Sequence, residues 1–240
     1  MAKKSALCFL TNSPSQHYID MVKHLNNEFY QVLIFVDKGT KNDDVIYIDG
    51  NIVAENGFKG SVYYFPNRAC SRDKALFYFR NIGNVSDMYD SIWFIEEDVF
   101  VPHLETIVNI DKKYDSKKYD LLSKSNMLFT DKANMVNKWY WNHIFSQTTL
   151  QPPFAASMVC AIRVSPRLLD VIHLYVAKYH SLFLDEVMFN TLALRNGFQI
   201  ACPAELSTIV YRRNWKRHEI KKTNLYHPVK SLKGQLFLRR

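Results

Sequence analysis

Glycine and proline are scarce in this 240-residue chain, at 7 and 8, which excludes collagen-like and linker-rich architectures and argues against extended disorder. Cysteine is sparser still. Cys8, Cys70, Cys160 and Cys202 stand apart with no CxxC pair, so neither a zinc framework nor a disulfide scaffold is expected. Buried free thiols in a reducing compartment, the cytoplasm, are the reading for them. No apolar run reaches the length of a bilayer span. The stretch from Met1-Ala2-Lys3-Lys4 to Leu10 is too short for a secretory leader. Neither GxGxxG nor GxxxxGK[ST] occurs, so dinucleotide oxidoreductases and P-loop ATPases have no motif support.

Apolar residues are plentiful. They make up 48% of the chain, with 16 Phe, 14 Tyr and 4 Trp, enough for a substantial core. The formal charge is +8, and much of the excess sits in Arg212, Arg213, Lys216, Arg217, Lys221, Lys222, Lys230, Lys233, Arg239 and Arg240. Such an excess attracts an anionic partner: nucleic acid, a membrane surface or a phosphorylated small molecule. A solvated basic face is the plainer alternative.

Ser5 to Thr11 is a compact apolar run. Asn12-Ser13-Pro14-Ser15 follows as turn and cap, then a helical pattern from His17 to Leu25 and a strand from Gln31 to Val36. A short hairpin is expected within 43–58, a strand over Ser61–Phe65 and a helix over Ser71–Arg80. Ser91–Ile95 is apolar throughout, as a central strand covered on both faces should be, and it runs into Glu96-Glu97-Asp98. Ser165-Pro166 opens a helix with Leu168, Leu169, Ile172, Tyr175, Val176 and Tyr179 at helical spacing. Asp185-Glu186 opens another, which Gly197 closes. Strands alternating with helices predict an α/β fold, a Rossmann-like three-layer sandwich on a mostly parallel sheet, forming one domain with an irregular basic segment from about residue 211.

In such a sheet ligands bind beyond the carboxyl ends of the strands, where Thr11, Asn12, Asp37 and Glu96-Glu97-Asp98 should gather. Alternation places Glu96 and Asp98 on one side and Glu97 on the other. Close carboxylates repel unless a cation or a raised pKa relieves them, and oxygen ligands of this kind suit Mg²⁺ or Mn²⁺. Standing alone, EED reads first as an acidic turn that caps the next element and stays in water.

The run Ile92-Trp93-Phe94-Ile95-Glu96-Glu97-Asp98-Val99-Phe100-Val101-Pro102 resembles the DxD segment of GT-A glycosyltransferases, here as ExD. The resemblance implies Asp98 as direct metal ligand, Glu96 near the donor ribose or supporting the metal, and Glu97 near the sugar. Further segments follow in the family's order. Ser71-Arg72-Asp73-Lys74-Ala75-Leu76 resembles the helix whose basic residues, here Arg72 and Lys74, help hold the nucleotide; a surface-charged amphipathic helix is the alternative. Ala155 to Leu169 resembles the strand and helix after the acceptor loop, and Leu184-Asp185-Glu186 the acidic helix start. There Glu186, preceded by Asp185, matches the general base of inverting members; capping of the helix is the alternative. Tyr226-His227-Pro228-Val229-Lys230 resembles the C-terminal segment whose histidine completes the metal shell, with Lys230 within reach of the diphosphate.

The implied protein is a glycosyltransferase moving a hexosyl or pentosyl group from a UDP- or GDP-sugar to a glycan or other hydroxyl acceptor, with Mn²⁺ or Mg²⁺, by inversion. The segment Phe129–Phe154, with Trp139-Tyr140-Trp141-Asn142-His143, sits where that family places acceptor loops. No nucleic-acid partner is expected, and peripheral membrane contact through the basic C-terminal region is in keeping with its charge. Three readings rival this one. A nucleotidyltransferase is disfavoured because Thr11-Asn12-Ser13-Pro14 is no glycine-rich loop. A basic nucleic-acid or membrane-surface binder explains the charge but not the ordered acids. The third is a glycosyltransferase fold acting as an inactive partner subunit.

Overall fold

The computed structural model describes residues 3–39, 43–62, 64, 66–131 and 141–239, with 141–143 described by backbone only. In chain order the elements are β1 (Lys4–Thr11), α1 (Gln16–Lys23), β2 (Tyr30–Val36), α2 (Gly50–Glu55), α3 (Ser71–Asn81), α4 (Val85–Met88), β3 (Tyr89–Glu96), α5 (Leu104–Lys113), β4 (Leu121–Leu122), β5 (Met127–Phe129), α6 (Trp141–Gln147), β6 (Phe154–Ala156), β7 (Ala161–Val164), α7 (Pro166–Tyr179), α8 (Asp185–Arg195), β8 (Ile200–Ala201) and α9 (Leu232–Arg239).

Six strands form the central sheet in the order β2-β1-β3-β7-β4-β8. β1 runs parallel to β2 and β3, and β4 parallel to β8, while β7 is antiparallel to both its neighbours. β5 and β6 pair separately as an antiparallel ribbon. The alternation of side chains sorts the core into two layers. Ala6, Cys8, Leu10, Ile92 and Phe94 pack with α3, α7 and α8 on one face. Leu7, Phe9, Trp93 and Ile95 pack with α1 and α5 on the other. The fold is therefore a three-layer α/β sandwich around a mixed, mostly parallel sheet.

Local chemistry explains the best-defined helices. Ser165 caps α7 by accepting the Leu168 N–H at 3.2 Å, with Pro166 in the first turn and the left-handed His180 (φ 53°) ending the helix. α8 is closed by Gly197 at φ 66°.

Three expectations are corrected. In place of a hairpin within 43–58, α2 forms, because Asp49 Oδ1 accepts the Asn51 N–H at 2.8 Å and caps it. Ser61 and Val62 form no strand; the Ser61 carbonyl instead accepts the Asp185 N–H at 3.0 Å, tying this loop to the start of α8. Tyr63 and Phe65 lie outside the described residues. The segment after 211 is irregular at first but ends in α9. Trp139 and Tyr140 of the acceptor-loop expectation lie outside the described residues. Among the described residues no helix is long and apolar enough to cross a membrane, and all four cysteines are free.

One buried ion pair braces the sheet away from the strand mouths. Arg163 of β7 donates through Nη1 to Asp111 Oδ1 at 2.7 Å, and Asp111 Oδ2 accepts the Tyr30 hydroxyl at 2.8 Å. Asp111→Ala leaves the guanidinium without its counter-charge, a change worth about 3–5 kcal/mol. The adjoining hollow of about 240 Å³ is open to solvent, which places the expected loss at the low end, about 3 kcal/mol. Urea denaturation checks it: the Arg163→Met/Asp111→Leu double variant should lose much less, and equal losses would show that the pair is not the cause.

Candidate functional site

Strand register assembles the site. Leu10 pairs with Glu96 and Thr11 with Val36, so three parallel strands stop at one level. Short hydrogen bonds then fix the chain as it leaves each strand. Asn12 N–H donates to Glu97 Oε2 at 3.0 Å, Glu97 N–H to the Leu10 carbonyl at 3.0 Å and Asp37 N–H to the Thr11 carbonyl at 2.9 Å. A pocket of about 290 Å³ opens there, lined by Thr11, Asn12, Asp37, Arg72, Glu96, Glu97, Asp98 and Asp185. It lies at the carboxyl edge of the sheet, where open α/β sheets hold ligands. Cys70, Ser71 and Val62 also line it.

The first turn of α3 is buried through Ser71, Arg72, Asp73 and Lys74, which corrects the alternative of a solvated charged face. Arg72, 2% exposed, donates through Nη2 to Glu96 Oε1 at 2.6 Å, and its Nε lies 3.3 Å from Asp185 Oδ2. Its Nη1 is buried without a partner. Lys74 is placed differently: its ammonium donates to the Val36 and Asp37 carbonyls at 2.8 and 2.9 Å, bracing the end of β2 from outside the pocket lining. Burial pushes the Asp37 carboxyl up, with Lys74 and Ser71 opposing. Its Oδ1 likewise has no partner. The Thr11 hydroxyl is engaged by the Phe35 carbonyl at 2.9 Å.

α8 brings its acidic start against Arg72. Asp185 Oδ1 accepts the Glu186 N–H at 2.8 Å while Oδ2 faces Arg72. Burial raises Asp185 to about 6 although Arg72 pulls it down. Glu186 is raised to about 7 by burial, then by Asp185 and Glu96. Asp73, fully buried beneath them, also reaches about 7 through burial. A carboxyl poised near neutrality is suited to taking a proton at physiological pH.

On the other side of Glu96, three potential metal ligands converge. One ligand atom each from Glu96, Cys160 and His227 lies within 4.8 Å of the others, and Asp98 Oδ1 stands 3.3 Å from His227 Nε2. His227 Nδ1 lies 2.7 Å from the Val210 carbonyl, so Nδ1 carries a proton and donates it there, leaving Nε2 directed toward the acids. Burial lowers the affinity of His227 for a second proton, but Asp98 outweighs it and the pKa rises. A carboxylate, imidazole and thiol donor set fits a divalent cation, and the backbone anchor on Nδ1 is the kind that orients a metal-binding histidine.

The structure thus brings together Thr11, Asn12, Asp37, Arg72, Glu96, Glu97, Asp98 and Asp185, with Glu186 and His227 beside them. Lys230 lies elsewhere, exposed on the wall of a separate cavity near the C-terminus. Cys160 was missed. It reads as core because Ala161 and Ile162 follow it, but β7 pairs with β3 and sets Cys160 against Glu96, whose N–H donates to the Cys160 carbonyl at 2.8 Å. Only the strand pairing reveals this.

Fold and site define a three-layer α/β protein with an acidic, cation-suited pocket at the carboxyl edge of its sheet. No protein-family model matches the chain, and the comparison with curated proteins finds no match. Among solved structures the chain is similar to mouse xyloside xylosyltransferase 1 in its apo form, at 11% identity over 95% of this chain and 98% of that one, with a TM-score of 0.46. So low an identity and score leave donor, acceptor and chemistry to be argued from the residues of this chain.

Proposed function

We propose that the chain is a GT-A-type glycosyltransferase that takes a sugar from a UDP- or GDP-sugar, bound with a divalent cation, and passes it with inversion to a hydroxyl of a glycan or other acceptor. The observation that carries the reading is the division of labour around Glu96: metal-type ligands on one side, and Asp185 with a Glu186 raised to about 7 on the other. Asp98, Glu96, His227 and Cys160 would hold the cation, which would supply positive charge to the donor diphosphate. Arg72, on the pocket lining, would present its positive charge to the donor, and Asp37 and Asn12 would meet its nucleoside side.

Glu186 accepts the proton of the acceptor hydroxyl as that oxygen forms a bond to the anomeric carbon. The bond from that carbon to the diphosphate oxygen breaks, and the nucleoside diphosphate leaves with the electron pair. Asp185 positions Glu186 through its contact with the Glu186 N–H and holds Arg72 against Glu96.

The test is thermal-shift or calorimetric binding of UDP-, GDP- and dTDP-sugars, each with Mn²⁺ and with EDTA. Stabilisation by one nucleotide class in the presence of metal only is expected, and Asp98→Ala should abolish it while remaining folded. The absence of any response would turn the reading toward a binding module or an inactive fold. Mn²⁺ or Mg²⁺ is the cation the carboxylates suit, and the thiol of Cys160 adds affinity for softer ions. Co²⁺ should therefore give a sulfur-to-cobalt charge-transfer band in the near ultraviolet, and Cys160→Ser should remove it. A Co²⁺ complex without that band would take Cys160 out of the ligand set.

A further inference from the structure

We infer that the C-terminal face, the loop 211–215 together with α9, docks on the surface of an anionic phospholipid bilayer. Residues 211–240 carry ten Lys or Arg against one acid, Glu219, and so account for the whole positive excess of the chain. In the structure Arg212, Arg213 and Lys230 line an open cavity of about 680 Å³ together with Tyr211, Trp215 and Phe237, with no acid on its walls. Arg213 pairs with Glu219 at 2.5 Å. Among the described residues no carboxylate pairs with Arg212, Lys230 or Lys233.

Charge alone fits any polyanion; the apolar residues among the cations decide. α9 turns Gln235 and Leu238 inward and leaves Leu236 and Phe237 exposed, Phe237 by 58%, with Tyr211 exposed by 69% on the facing loop. Phe237 forms the ridge between the basic cavity and a second, mostly apolar hollow of about 370 Å³ formed by Leu232, Lys233, Leu236 and Phe237. A single exposed apolar side chain needs no explanation, but a ridge rimmed by cations is the pattern of interfacial helices, whose apolar side chains enter the acyl boundary while the cations meet phosphate. A nucleic acid would use the cations and gain little from Leu236 and Phe237.

This face is firmly joined to the acidic pocket. Gln235 donates through Nε2 to the Glu97 carbonyl at 2.7 Å, Val229 N–H to the Asp98 carbonyl at 2.7 Å and Arg239 Nη2 to the Val101 carbonyl at 2.9 Å. Docking would hold the pocket at a fixed attitude to the bilayer. The inference stands on the C-terminal residues alone and does not depend on sugar transfer.

The experiment is co-sedimentation of the full chain with phosphatidylcholine vesicles, with and without phosphatidylglycerol, at several salt concentrations. Binding to the phosphatidylglycerol vesicles alone is expected. Leu236→Ser/Phe237→Ser should weaken it roughly tenfold or more, from the apolar area no longer buried. Arg212→Ala/Lys233→Ala should weaken it by about fivefold per charge. All four positions are exposed, so melting temperatures should match the parent. Absent binding, equal binding to neutral vesicles, or unchanged binding of the Leu236/Phe237 variant with tight binding to a single-stranded oligonucleotide would overturn the inference. So would a stable dimer in solution that the Leu236/Phe237 variant dissolves, since a second copy would then cover the ridge.

Discussion

Glu186→Gln should slow transfer by roughly 10²–10⁴-fold, the contribution of a positioned base, while the donor binds as before. Glutamine keeps the size of the side chain and its place at the start of α8 but cannot accept the proton. The pH profile adds a second readout. The Glu186 carboxyl is raised to about 7 by burial and by the neighbouring Asp185 and Glu96. As a base it works only when deprotonated, so the parental rate should fall as pH drops through about 7 and level off above it. In the glutamine variant that limb should vanish from the residual rate. A variant with normal turnover would remove Glu186 from the base role; one that keeps the limb would assign it to another group, with Asp185, raised to about 6, next to be examined.

The parts of this molecule legible in the sequence are those whose causes are local. β1 and β3 announce themselves as apolar runs, and α7 carries its own cap and proline. The gathering of Thr11, Asn12, Asp37 and Glu96-Glu97-Asp98 follows from the direction of parallel strands, a rule that holds whatever the side chains do. What stayed hidden depends on distant partners. The charges of Arg72, Asp73 and Lys74 look the same in sequence whether solvated or buried, and only their packing under α8 and against the end of β2 shows that they are buried. Cys160 resembles its core neighbours until β7 is placed antiparallel to β3. α2 is a single short turn-and-a-half behind an Asp49 cap, too brief to show a helical period, and α9 is short and tied down by a distant partner, the Glu97 carbonyl that accepts from Gln235.

The Arg72→Met variant should turn the site into a pH-dependent weakness of the fold. In the parent, Asp73 and Glu186 are raised to about 7 and Asp185 to about 6, each chiefly by burial, against about 4 in an unfolded chain. Groups raised in this way stabilise the folded state fully below about pH 4 and lose that contribution as pH climbs through their folded values. The parental melting temperature should therefore decline between about pH 5 and about pH 7.5. Arg72 limits that decline, since its charge lowers both Asp185 and Glu186. Without it both carboxyls move further up, and the decline should steepen and extend to higher pH. Losing the cation of a buried ion pair is worth about 3–5 kcal/mol where the acids are ionised, and little near pH 5, where protons neutralise them. Divalent metal should restore part of the loss in the variant at alkaline pH, by placing positive charge on the far side of Glu96. A melting curve for Arg72→Met that runs parallel to the parent at every pH would show that the guanidinium acts by packing alone. A curve that converges with the parent only at acid pH would establish Arg72 as the charge that allows Asp185 and Glu186 to stand side by side at the start of α8.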